Sequence, residues 1–345
     1  MFGAIEEQSE VGRRHLFMLR GSVQTLLVIA ILLPSASAQQ IVFTHAPNGG
    51  PPWPVEDVYS MDADGSGVKA LTNDGHSHDA VWTSDGRGIL FVHDDALQAP
   101  THPEAKEFES YHSVELSMMD RDGGNRHLLR RLDGVIFSAA MSPDGKSLAM
   151  TYSPEAPPPR QSMRAGLYLL PADGQGEPRL LVKDAFTPAW SPDGKKLAFS
   201  VENPRGEWAL HVANADGADD VRLTDPVLIS GSPAWSPDGK QIAFSQFTDQ
   251  RRRQQIFVMD ADGSHERQVT ADSNWSCEHV SWLGDGARLV LSCRSAAAPC
   301  GVISSVGTVL PECTRRIFAV SLGDAQVVLK QLSVLDGASA SVGPK

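Results

Sequence analysis

Apolar and polar residues alternate along this chain in short runs, each broken by an Asp-Gly turn. One unit reads AVWTSDGRGILFV from Ala80, AAMSPDGKSLAMT from Ala139, PAWSPDGKKLAFS from Pro188, PAWSPDGKQIAFS from Pro233 and VSWLGDGARLVLS from Val280. A second unit alternates with the first: VYSMDADGSG from Val58, LSMMDRDGGN from Leu116, LYLLPADGQG from Leu167, LHVANADGAD from Leu210 and IFVMDADGSH from Ile256, with IFAVSLGDAQ from Ile317 as a degraded sixth copy. An apolar, β-rich run, a turn and another short apolar run is how a β-hairpin reads in sequence. No stretch sustains the i, i+3, i+4, i+7 stripe of an amphipathic helix.

The turn aspartates Asp85, Asp144, Asp193, Asp238 and Asp285 recur at roughly 45 to 60 residues, near the roughly 40 to 50 of propeller blades. Two hairpins per period make one four-stranded antiparallel blade. The chain begins its repeats at Gln40-Ile41-Val42-Phe43-Thr44, which matches the second strand of the unit at Leu197-Ala198-Phe199-Ser200. One partial blade and five complete ones predict an all-β, six-bladed β-propeller. The missing first strand leaves an open edge, and the tail Val334 to Lys345 is the segment available to fill it. Trp82, Trp190, Trp235 and Trp282, with Met141, occupy one equivalent position, which predicts packing between blades.

These segments resemble the TolB-type propeller repeat, most closely at 188–200, 233–245 and in VYSMDADGSG and IFVMDADGS. The resemblance runs from Gln40 to about Ser333 and implies a six-bladed propeller. It says less about role, because similar blades serve periplasmic scaffolds, polysaccharide lyases and the propeller halves of oligopeptidases. The chain departs from the family's namesake in having no separate α/β domain ahead of the propeller, so a role in the Tol envelope system is not expected.

Residues 1–38 read as a signal peptide: Arg13, Arg14 and Arg20 precede the apolar run Val23 to Leu33, and Ala36-Ser37-Ala38 supplies small residues for cleavage. That run is too short to span a bilayer. The expectation is a single propeller domain over 39–345, periplasmic or secreted, with no membrane span after cleavage. The net charge is −12, and the leader's basic and acidic residues cancel, so the mature part is equally acidic. Nucleic-acid binding, which needs a basic footprint, is excluded. Cys277, Cys293, Cys300 and Cys313 all fall in the exported part and suit disulfides. Cys277 and Cys293 flank the turn at Asp285-Gly286 symmetrically and face each other across a hairpin, which leaves Cys300 with Cys313.

Turns within hairpins share one face of a propeller, and the connecting loops share the other. The long connections are His45 to Asp57, Asp94 to His112, Ser153 to Arg164 and Arg294 to Arg316, all in consecutive blades and rich in proline. Loops of this length commonly carry function. The same side gathers His76, His78, Asp79, His112, Glu278 and His279, with Arg252 as a basic spot. These are the expected ligand-binding residues, and the expected partner is a protein, peptide or glycan. Asp62-Ala63-Asp64-Gly65 resembles the start of a calcium loop, but position twelve is Asn73, and recurrence marks it as turn chemistry. Gly75-His76-Ser77-His78-Asp79 ends in aspartate where a nucleophile elbow needs glycine, and it lies in a β context. No enzyme motif or cofactor is therefore assigned. The alternative is a metal-assisted polysaccharide lyase or hydrolase holding a divalent ion with His76, His78 and His279 at the channel mouth.

Overall fold

A computed structural model describes residues 39–45, 56–94, 113–154, 165–226, 230–248, 253–272, 274–295, 315–323, 328–332 and 340–343. Within them the alternating pattern folds into six separate four-stranded antiparallel sheets and no helix. The strands nearest the axis are Ala340–Val342, Ser77–Trp82, Val135–Met141, Ala185–Trp190, Ser230–Trp235 and Trp275–Trp282, for blades one to six. Each neighbours the next, the sixth returning through Ala340–Val342 to the second, so the ring closes. The tail does supply the missing strand: Val342, Ser341 and Ala340 pair antiparallel with Ile41, Val42 and Phe43.

Closure is what buries the apolar residues. The described residues form six hydrophobic clusters, and each straddles a different seam between adjacent blades. A blade alone would leave both faces wet, whereas a ring shelters every one. The recurring tryptophans staple these seams. Trp190, Trp235 and Trp282 each donate an indole N–H to a carbonyl of the preceding blade, at Ala140, Ala189 and Ala234. Trp82 sits at the closing seam against Gly343, and its buried Nε1 finds no acceptor among the described residues.

The Asp-Gly turns are built locally. In blades three to five a serine hydroxyl donates to the turn aspartate, from Ser142 to Asp144, Ser191 to Asp193 and Ser236 to Asp238 at 2.6–2.7 Å. The following glycines, Gly145, Gly194 and Gly239, adopt φ near +70°, a conformation glycine takes without cost. In blade six, where Leu283 replaces the serine, the Arg288 guanidinium reaches Asp285 instead. Each of these turns joins the first and second strands of its blade.

In blade six Cys277 and Cys293 stand directly opposite in register and are joined by a disulfide. The second pair, Cys300 and Cys313, lies outside the described residues. So do residues 1–38 and the bulk of the four long connections. No helix among the described residues is long and apolar enough to cross a membrane.

Candidate functional site at the channel mouth

The first strand of a blade must bring side chains close to the axis, and it does so with a bulge. Register shifts between His78 and Val81, Phe186 and Ala189, Gly231 and Ala234, and Glu278 and Val280. At each bulge one residue three places before the tryptophan takes the left-handed conformation: Asp79 (φ 48°), Thr187 (51°), Ser232 (48°) and His279 (49°). None is glycine, and Thr187 is β-branched, for which this conformation is a true outlier. Ser138 fills the position in blade three without the left-handed turn. All five line a cavity of about 430 Å³ around the axis, together with Phe137, Pro188, Pro233 and the four tryptophans.

Blades three to five close this ring with hydroxyls. The Ser138 hydroxyl donates to Thr151 Oγ1 at 2.9 Å, and the backbone N–H of Thr187 donates to the same oxygen at 2.9 Å. Ser232 N–H in turn donates to Thr187 Oγ1 at 3.3 Å. Neighbouring blades are thus tied by short polar links that carry no charge.

Blades six, one and two carry charges instead. His78 is clamped by two carboxylates, with Nδ1 3.2 Å from Asp79 Oδ2 and Nε2 3.2 Å from Asp94 Oδ2. Burial alone opposes a charged imidazole, but the two carboxylates outweigh it and hold the His78 pKa well above its usual range. Across blade one, Arg315 Nε donates to Glu278 Oε1 at 2.8 Å. Burial again opposes ionisation, yet Arg315 wins and keeps the Glu278 carboxyl below its ordinary value. His279 goes the other way, because burial, aided by Arg315, exceeds the pull of Glu278 and Asp79 and favours the neutral ring. Glu56 lies between the groups, close enough to feel His78, Asp79, Asp94 and Arg315, and its burial raises its pKa. Its backbone docks blade one on blade two: Glu56 N–H donates to Gly75 O, and Ser77 N–H donates to Glu56 O.

The predicted residues therefore separate into groups. His78, Asp79, Glu278 and His279 come together at one mouth, across blades six, one and two. His76 instead packs edge-on against His93, with ring centres 6.2 Å apart. His76, His78 and His279 are not gathered as one ligand set, and the described residues contain no group of three or more His, Cys, Asp or Glu placed to hold a metal ion. His112 and Arg252 lie outside the described residues. Sequence reasoning missed Glu56, Asp94 and Arg315. All three stand at strand ends beside long connections, and that flanking position was the available signal.

Comparison with known proteins agrees with this architecture. Residues 102–306 match the family described as the TolB beta propeller domain. The Tol-Pal system protein TolB of Anaeromyxobacter dehalogenans is 34% identical over 117 residues, covering 33% of this chain and 25% of that relative. The match thus spans about a quarter of the relative's length. Among solved structures, TolB from Acinetobacter baumannii superposes with a TM-score of 0.56 at 17% identity, covering 89% of this chain and 67% of that one. Oligogalacturonate lyase from Vibrio parahaemolyticus gives 0.51 at 12% identity, covering 86% and 82%. Likenesses at such identities speak for the fold alone. With a family match over more than half its length and six closed blades of the expected kind, this chain belongs to the TolB β-propeller domain family.

Proposed function

We propose that the protein is a binding module of the cell envelope that holds a protein or peptide partner at the charged mouth of its channel. The observation that carries this reading is the network of Glu56, His78, Asp79, Asp94, Glu278, His279 and Arg315. It gathers ionisable groups from three blades, half-buried beside an open cavity. A stable ring gains little from charges brought this close, since desolvation offsets much of their attraction. Their concentration on one arc is better understood as recognition chemistry. The relatives named for the Tol-Pal system and the leader-like residues 1–38 support an envelope location, periplasmic or secreted.

The lyase reading draws on the shared fold of oligogalacturonate lyase, but no observation here favours it. Both ring nitrogens of His78 are engaged by carboxylates, so neither is free to bind a metal without dismantling the clamp.

The test is partner capture from envelope extract with Arg315→Gln and Asp94→Asn, against Lys195→Ala on the turn face as control. Loss of the same captured protein in both mouth variants, with retention in the control, supports the reading. Equal capture by all three overturns it.

A further inference from the structure

Resting on that reading, we infer that the cavity below the mouth is a subsite for a primary ammonium on an aliphatic stem, supplied by a lysine side chain of the bound partner. The polar side chains among the residues lining the cavity are Asp79, Ser138, Thr187, Ser232, Ser281, Ser341 and His279, with the Ser281 hydroxyl spent on the Ala340 carbonyl at 2.9 Å. Asp79 is the only one with a fixed charge, and it is negative. One of its oxygens faces His78 at 3.2 Å; the other makes no side-chain hydrogen bond among the described residues. The hydroxyl of Ser232 and the ring nitrogens of His279 likewise have no hydrogen-bond partner among the described residues.

Donors are scarce in the same space. Three of the four tryptophans lining the cavity spend their N–H on a neighbouring blade, and the Ser138 hydroxyl is spent on Thr151. The two nearby cations, His78 and Arg315, are outside the lining and each is held by a carboxylate. A carboxylate or phosphate ligand would meet Asp79 and find few donors, whereas an ammonium has three N–H groups to give and finds acceptors on opposite walls. Phe137, Trp190, Trp235, Pro188 and Pro233 supply apolar walls for the methylenes and aromatic faces for the charge. A planar guanidinium needs a bidentate acceptor, and one oxygen of Asp79 is already committed, so lysine is favoured over arginine.

The probes are Nα-acetyl-lysine methylamide, its norleucine, arginine and glutamate counterparts, and the free diamine cadaverine. Each is titrated into the full chain while the indole N–H resonances of Trp190 and Trp235 are followed. The lysine compound should shift both indoles, bind at least tenfold more tightly than the norleucine or glutamate compounds, and weaken at least tenfold in Asp79→Asn. Ser232→Ala removes a hydroxyl with no structural partner, so it should fold normally and weaken lysine binding several-fold. Lysine binding no tighter than norleucine, or unchanged in both variants, overturns the inference; binding of cadaverine alone overturns the lysine assignment. Should the lysine compound fail while Arg315→Gln and Asp94→Asn still lose their partner, the subsite falls and the mouth reading stands. If those variants keep their partner, the reading beneath the subsite falls first.

Discussion

Blades three to five and blades six, one and two use the same backbone and fill it differently. At the left-handed position Thr187 and Ser232 stand where Asp79 and His279 stand across the axis. The first arc ties its blades together through neutral hydrogen bonds among Ser138, Thr151, Thr187 and the Ser232 backbone. The second pairs half-buried charges and leaves acceptors facing the cavity. Because the repeat holds the backbone constant, the difference isolates what the ring requires from what it does not. Hydroxyls suffice to close blades, so the carboxylates and imidazoles of the other arc are there for another reason.

The comparison is sharpened most by breaking the disulfide. Cys277 and Cys293 occupy the pair that is Ala185 and Val201 in blade four, beside Glu278 and Arg294. Loop-closure entropy for a loop of this length is worth about 3 kcal/mol. Cys277→Ser with Cys293→Ser should lower stability in urea unfolding by that order and weaken partner capture through displacement of Glu278. A loss of stability with unchanged capture would show that the covalent tie serves the ring and not the mouth.

The next effect changes sign between the arcs. Thr151 and Thr44 hold equivalent places in the second strands of blades three and one, and both are buried. Thr151 Oγ1 accepts two hydrogen bonds, whereas Thr44 Oγ1 has no partner among the described residues. Thr151→Val strands two donors and should cost about 1–3 kcal/mol; Thr44→Val, nearly the same shape, should gain up to about 1 kcal/mol. Equal losses at both positions would mean that the hydroxyl at Thr44 is matched on closure.

These contrasts explain what could be read from sequence. Blade number, strand order and the closing tail follow from a repeated pattern of apolar residues and Asp-Gly turns, because hairpins are local and their stacking is dictated by two apolar faces. Cys277 and Cys293 were legible for the same reason, since symmetry about one turn fixes their register. Glu56, Asp94 and Arg315 were not, because each belongs to a different blade and only ring closure brings them together. The ring contact of His76 with His93 was equally out of reach, because it depends on the pairing of the first and second strands of blade two and not on the H-x-H spacing.

Titration gives a smaller effect confined to the charged arc. His78 is stabilised as a cation in the folded chain. Its contribution is therefore complete below the ordinary imidazole value of 6.5 and is lost as pH rises through the elevated folded value. For a half-buried pair this amounts to no more than about 1 kcal/mol. The stability difference between the protein and His78→Gln should shrink as pH is raised from 6 to 10, while Asn203→Ala in blade four gives a difference independent of pH. A gap that widens with pH would mean that the clamp does not hold a proton.

The smallest effect bears most directly on the reason for strain at the bulges. His279 sits at φ 49°, where a residue with a Cβ is disfavoured by about 1–2 kcal/mol. Glycine relieves that cost but gives up about 0.5–1 kcal/mol through the freedom of its unfolded chain. His279→Gly should therefore be more stable by about 0.5 kcal/mol, visible as a small rise in unfolding midpoint, because the ring makes no hydrogen bond that the substitution would remove. The same change at Thr187 should fail to stabilise, since its hydroxyl accepts from Ser232 N–H and its loss leaves that donor short. If His279→Gly is instead destabilising, the imidazole supports the ring and the strain is structural. If it is stabilising and partner capture falls, the protein keeps a strained side chain at the mouth for binding, at the expense of its own stability.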